Sequence, residues 1–204
     1  MRTYCWPELP RLPSSGEPVL IRVAASPERP VARREARAAL RVILASWSGL
    51  PPSRVLLEES CIGPLWPNRL AGETLDINFS YGANEAWIGL VRAGRIGVDV
   101  MRVEPFAESQ AVARAYLGPE AAAAIALAPD PDRAFAAAWT EREARLKCAK
   151  RGLTEWDGSD TPEAFHTGFE GPDWVGAVAV RSRTLARHCR TECLLSEHLK
   201  SAFG

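Results

Sequence analysis

Between Leu75 and Val100, three runs of strand-forming residues follow one another through two tight connections: LDINFS (75–80), AWIGLV (86–91) and IGVDV (96–100). In the first run Leu75, Ile77 and Phe79 alternate with Asp76, Asn78 and Ser80, the period-two pattern of a strand with one buried face. Tyr81-Gly82-Ala83-Asn84 predicts a turn, and Arg92 to Arg95 around Gly94 predicts a second tight connection. Strands joined this closely predict an antiparallel meander. In the third run Ile96, Val98 and Val100 share one face, which leaves Gly97 and Asp99 on the other, with Asp99 toward the strand's end. An acid set between valines either faces away from the apolar side or waits for a cation.

Helical patterns flank these strands. Val19 to Val23 predicts an early strand, and the prolines Pro27 and Pro30 lead into VARREARAALRVILASWSG, where Val31, Leu40, Ile43, Leu44 and Trp47 fall roughly on one helical face. Gly49 is a natural stop. The opposite face carries Arg33, Arg37 and Arg41 at i, i+4 spacing with Arg34 beside them. That face is either solvated or a phosphate contact. Further on, Glu108 to Tyr116 and Pro119 to Leu127 predict two helical pieces broken near Gly118. Asp130 with Pro131 behind it predicts the capped start of a long helix running to about Lys150, with Gly152 beyond. WVGAVAV (174–180) predicts a strand by residue type. Each half of the chain therefore mixes helix and strand, which predicts an α+β class and permits two related subdomains with a junction near residue 97, a symmetry the element order alone does not establish.

Composition narrows the function. With 47% hydrophobic residues and Lys+Arg equal to Asp+Glu at 25 each, the chain carries no bulk field toward nucleic acid or an anionic membrane. A nucleic-acid reading of the arginine helix would need such a field, so neither nucleic acid nor membrane is expected as a partner. The longest apolar run, Ala121 to Ala128, is too short to span a bilayer. The proline- and charge-bearing start lacks the apolar core of a secretory signal, so a cytoplasmic location is expected. Five cysteines without a C-x-x-C pair fit reduced thiols. His188, Cys189, Cys193 and His198 match no zinc spacing.

The chemistry concentrates in AWTEREARLKCAKRGL (138–153). On a helix, Phe135, Trp139, Glu143 and Lys147 recur every four residues and stack along one face. Alone, Glu143 and Lys147 could be an ordinary surface pair, which is worth little. Asp99 changes that reading. A strand carboxylate and a mid-helix carboxylate are what a hard cation such as Mg²⁺ collects, with waters and substrate phosphate filling its shell. A neighbouring lysine would then balance phosphate charge or move a proton.

These residues resemble the 4'-phosphopantetheinyl transferases of the longer, Sfp-type branch. That family carries a G-[IV]-D segment followed some forty residues later by W-x-x-K-E-x-x-x-K, often with a later G-L. The matches here are GVDV (97–100), WTEREARLK (139–147) and Gly152-Leu153. RAYLGPE (114–120) stands where the family has R-x-F-x-x-x-E, and INFSYG (77–82) is similar to its F-N-x-S-H-S element. The resemblance spans roughly residues 30 to 180.

It implies a 4'-phosphopantetheinyl transferase-like fold, two similar α+β subdomains forming a pseudo-dimer in one chain, residues 1–97 and 98–204. It also implies transfer of the phosphopantetheine arm of coenzyme A to a serine of an acyl or peptidyl carrier protein, with release of 3',5'-bisphosphoadenosine. In that scheme Asp99 and Glu143 bind Mg²⁺. Glu143, or a water it orients, deprotonates the carrier serine, and Lys147 contacts phosphate. Ser80, Tyr81 and the turn after them, with Arg33 and Arg34, face the adenosine-side phosphate. Two halves in one chain need no oligomer, so a monomer is expected.

Some positions depart from the family pattern. Met101 stands where many relatives have a second acid, Tyr81 where the family has histidine, Gly63-Pro64-Leu65 where it has G-K-P, and Arg142 where it has lysine. They motivate the alternative of a carrier-binding or regulatory protein without turnover.

Overall fold

The apolar alternation of the central strands dictates the layering. The structure, a computed structural model, describes residues 1–55, 57, 69–70, 72–82, 84–158 and 164–182. The elements are β1 (Arg2–Cys5), β2 (Pro18–Ala24), α1 (Arg29–Ser48), a short 3-10 turn, β3 (Arg69–Leu70), β4 (Glu73–Gly82), β5 (Glu85–Arg92) and β6 (Gly94–Arg102). After these come α2 (Ser109–Val112), a wider-wound turn over Ala113–Leu117, α3 (Pro119–Ala126), α4 (Pro131–Ala149), β7 (Phe165–Glu170) and β8 (Trp174–Ser182). The strands form two sheets, of order β1-β2-β5-β4-β3 and β6-β8-β7. The chain is thus α+β. Gly63-Pro64-Leu65 and the His188, Cys189, Cys193 and His198 group lie outside the described residues.

Each face of the first sheet is covered by something different. Val19, Ile21 and Val23 of β2, with Ala86, Ile88 and Leu90 of β5, bury against Leu40, Ile43 and Leu44 of α1. That helix stops where Gly49 turns left-handed, at φ 70°. On the other face Leu20, Trp87 and Val91 pack against Ile96, Val98 and Val100 of β6 and Val178 and Val180 of β8. The outer face of the second sheet takes α4, where Ala144 and Cys148 meet Ala177 and Ala179. The order of layers is helix, sheet, sheet, helix.

The expected three-strand meander therefore stops after two strands. β4 and β5 form an antiparallel hairpin from Leu75↔Arg92 to Gly82↔Glu85, with Asn84 in its turn at φ 60°. After β5 the chain passes through Ala93 at φ 52°, and β6 pairs with β8 over the full span Gly94↔Ser182 to Arg102↔Trp174. The reason is burial: the first sheet has a second apolar face, and β6 lies across that face instead of extending the sheet. A boundary at residue 97 accordingly falls inside β6, whose nine residues pair in one register.

β6 is nevertheless tied to β4, through side chains. The amides of Ile96, Val98 and Val100 donate to Asp76 Oδ2 at 2.8 Å, Asn78 Oδ1 at 2.9 Å and Ser80 Oγ at 3.1 Å. Three alternate residues of one strand thus meet three alternate amides of another, each pair twenty positions apart in the chain. The polar face of β4 is a seam between sheets rather than a solvent face.

The small residues under α4 let it approach closely. A Cβ on Gly97 would stand 1.9 Å from the Ala144 carbonyl oxygen and 2.5 Å from the Cys148 amide nitrogen, so only glycine fits there. The helix begins as its sequence predicts, with the Asp130 carboxylate accepting from the Arg133 amide at 3.0 Å. It ends at Lys150, which is left-handed at φ 57°. Such a conformation costs a non-glycine residue about 1–2 kcal/mol. Here the Lys150 ammonium reaches the buried Asp76 carboxylate at 2.8 Å, a contact a glycine would forgo.

Candidate active site

Asp99 is the sixth residue of β6, not its end, and it lies on the face that Gly97 opens to α4. Its carboxylate is 13% exposed. Oδ1 accepts from Lys147 Nζ at 2.7 Å and from Ser80 Oγ at 3.0 Å, and Lys147 Nζ also donates to the Val98 carbonyl at 3.1 Å. Lys147 thus bridges α4 to β6 and sets a cation on the strand carboxylate.

One turn back along α4, Glu143 is half-buried. Burial pushes its carboxyl above the usual glutamate range. The Asp99 charge pushes the same way, while Lys147 and Arg142 pull it down. Glu143, Asp99 and Lys147 therefore share one electrostatic neighbourhood although they come from distant parts of the sequence.

The aromatic half of the stripe has its own partners. Phe135 and Trp139 stack with centroids 5.8 Å apart, and Tyr116 meets Trp139 edge-on at 5.8 Å. Around them lie Ala113, Ala122 and Ile125 from the helical pieces before α4. The stripe changes chemistry along the helix because its cover changes, from those helical pieces to the β6 edge. Met101, two residues past Asp99 on the same face, packs into this apolar cluster. That position provides no second acid.

Other residues singled out in the sequence fall in separate surroundings. Ser80 is 4% exposed, with its hydroxyl turned to β6. Tyr81 is half-buried on β4 and its ring stacks on Phe79 at 6.1 Å. Burial raises the Tyr81 hydroxyl's pKa, and the charges of Arg37, Arg33 and Arg29 on α1 oppose that rise. Arg33 and Tyr81 thus sit within electrostatic reach of each other. Arg33 and Arg34 are both exposed. Arg142 Nη2 donates to the Thr154 carbonyl at 3.2 Å and ties down the chain beyond α4. The RAYLGPE segment turns at Gly118, φ 92°, against the Trp156 ring.

Sequence reasoning passed over Asp76, Asn78 and Lys150. Three side-chain acceptors in strict alternation on one strand are a usable signal, because a strand facing water gains little from carrying them in register. The partner amides, however, are apolar residues' backbone and leave no mark in the sequence.

A cavity of about 330 Å³ lies between α4 and β7, lined by Glu141, His166, Gly168 and Glu170 among others. Glu141 is two positions from Glu143, roughly 200° around the helix, so the cavity is on the other flank. Its charged groups already have partners. Glu141 meets Arg145 at 2.7 Å and His166 at 3.3 Å, and Glu170 meets Arg133 at 3.0 Å.

Among the described residues no three His, Cys, Asp or Glu side chains converge as metal ligands. Asp99 and Glu143 together offer hard carboxylate oxygens from two elements. Among the described residues, the hydrogen bonds to the Asp99 carboxylate from Ser80 and Lys147 both fall on Oδ1. This donor set fits a divalent cation of the Mg²⁺ kind, which keeps several waters and takes few protein ligands.

Residues 95–192, which open on β6 and include Asp99, Glu143 and Lys147, match the family model described as the 4'-phosphopantetheinyl transferase superfamily. Just under half of the chain is thus similar to this superfamily. A curated relative, the 4'-phosphopantetheinyl transferase HetI of Nostoc sp. (strain PCC 7120 / SAG 25.82 / UTEX 2576), is 27% identical over 122 residues. The alignment covers 58% of this chain and 52% of the relative, so the chain spans about half the length of the curated protein it matches. Within the matched segment Gly97 and Asp99 present one β6 face to α4. No helix among the described residues is long and apolar enough to cross a membrane.

Proposed function

We propose that this chain is a 4'-phosphopantetheinyl transferase of the Sfp-type branch, moving the phosphopantetheine arm of coenzyme A to a serine of an acyl or peptidyl carrier protein. The observation that carries the reading is the convergence of Asp99, Lys147 and Glu143 within the segment matched by the family model. The carrier serine oxygen attacks the phosphorus that bears the pantetheine arm. The bond from that phosphorus to the bridging oxygen breaks, and 3',5'-bisphosphoadenosine leaves. Glu143, with its raised proton affinity, is the group to accept the serine proton, directly or through a water. Lys147 concentrates positive charge beside Asp99, where the pyrophosphate is drawn in. Bound between Asp99 and Glu143, Mg²⁺ would supply charge stabilisation for the leaving phosphate. Tyr81, Arg33 and Arg34 are the proposed contacts for the adenosine-side phosphate.

The same proposal extends to the whole chain. Each half sets a helix on the outer face of its own sheet, which supports a pseudo-dimer in one polypeptide acting as a monomer. A cytoplasmic site of action is part of the same proposal.

The test is to incubate apo carrier proteins of the fatty-acid, polyketide and peptide-synthesis classes with coenzyme A and Mg²⁺ and to weigh the products. One carrier should gain the mass of the arm on its serine, and that gain should disappear with chelator. A second reading, a carrier-binding protein without turnover, is favoured by Met101 lying in an apolar cluster. It predicts carrier binding by calorimetry with no Mg²⁺-dependent affinity for coenzyme A.

A further inference from the structure

We infer that Ser80 is a positioning residue that orients the Asp99 carboxylate, and that its hydroxyl serves this acid rather than a substrate phosphate. The inference rests on the reading of Asp99 as a metal-binding carboxylate. A serine hydroxyl has one proton to give and two lone pairs to offer. The proton goes to Asp99 Oδ1 at 3.0 Å, and a lone pair receives the Val100 amide at 3.1 Å. At 4% exposure Ser80 has little surface left for a ligand.

The effect on Asp99 is geometric. Lys147 Nζ meets the same Oδ1 at 2.7 Å, so two donors from two elements, β4 and α4, fix one carboxylate oxygen and thereby the plane of the group. Oδ2 is then presented in one orientation. Partners that orient a ligating group commonly contribute 10–100-fold to metal affinity. Asn78 provides the natural comparison: it accepts the Val98 amide at 2.9 Å in the same seam, but its bond bypasses Asp99.

The experiment measures Mn²⁺ affinity by electron paramagnetic resonance without coenzyme A, on the wild type, Ser80→Ala, Ser80→Thr, Asn78→Ala and Asp99→Ala. Steady-state kinetics with coenzyme A and with 3'-dephospho-coenzyme A accompany it. Ser80→Ala should weaken Mn²⁺ binding about 10–100-fold, and should lower kcat by the same factor with either co-substrate. Ser80→Thr, which keeps the hydroxyl, should recover most of both. Asn78→Ala should lose stability as Ser80→Ala does while holding Mn²⁺ normally.

Unchanged Mn²⁺ affinity in Ser80→Ala, with a raised KM for coenzyme A that vanishes for the dephospho form, would make Ser80 a phosphate contact and overturn the inference. Equal loss of Mn²⁺ affinity in Asn78→Ala would reduce the effect to seam stability and overturn it too. If Asp99→Ala binds Mn²⁺ like the wild type, the metal reading itself falls. If only Ser80→Ala does so, the positioning role alone falls.

Discussion

Glu143 carries a proton more tightly in the folded protein than it would in the unfolded chain, because burial opposes its charged form and Asp99 adds like charge. Between the ordinary glutamate range and its raised folded value, the folded state therefore binds more protons than the unfolded one, and stability falls as pH rises through that window. Glu143→Gln removes the penalty at nearly constant volume. The variant should melt above the wild type at neutral pH, and the two should converge below about pH 4, where the glutamate is protonated in both states. Melting curves by calorimetry across that range check it; a variant less stable at neutral pH would show that Lys147 outweighs burial. At this scale the sequence was informative about Asp99, whose alternation with Val98 and Val100 places it off the apolar face. It placed Ser80 on the polar face of its strand but not against Asp99, since the groups that meet the Ser80 hydroxyl lie on a different sheet.

Among the elements, α4 was the most legible. Asp130, Pro131 and the four-residue stripe fix its start and its facing, and its end at Ala149 follows. β6 was legible as a strand but not as a member of the second sheet. Short connections favour hairpins, yet the burial demand of Leu20, Trp87 and Val91 decides the outcome, and that demand appears only once β2 and β5 are paired. β7 escaped notice because Gly168 and the half-exposed pattern of Phe165–Glu170 blur any alternation. β8 reads weakly for the opposite reason: both its faces are buried, so no polar residues mark a period. The packing of α4 on β6 allows a sharp test. Gly97→Ala drives a methyl into the Ala144 carbonyl, an overpacking that costs about 1–3 kcal/mol or more. For a chain of this size that is a fall of about 2–4 °C in Tm for each kcal/mol. Because α4 must lift to make room, the Lys147–Asp99 contact should open, and carrier modification should drop more than the loss of folded protein explains. Thermal melts paired with the mass assay separate the two effects.

For the whole molecule, the α+β class was within reach of the sequence, whereas the stacking of the sheets was not. The chain passes from the first sheet to the second at Ala93, and the two sheets pack where Val98 and Ile96 meet Trp87 and Val91. Neither half should therefore be soluble alone. Fragments 1–93 and 94–204 expressed separately should aggregate, and expressed together should copurify as a complex. Two independently soluble, monomeric fragments would contradict this account of the core.

The row of Asp76, Asn78 and Ser80 against the amides of β6 has a dynamic consequence. Ordinary sheet pairing locks a strand through main chain that every residue type possesses, but these latches are written in residue identity and can be released one tooth at a time. Breathing between the two sheets should thus surface in deuterium uptake as early labelling of Ile96, Val98 and Val100, while their neighbours Gly97 and Asp99, whose amides point to the paired strand β8, stay protected.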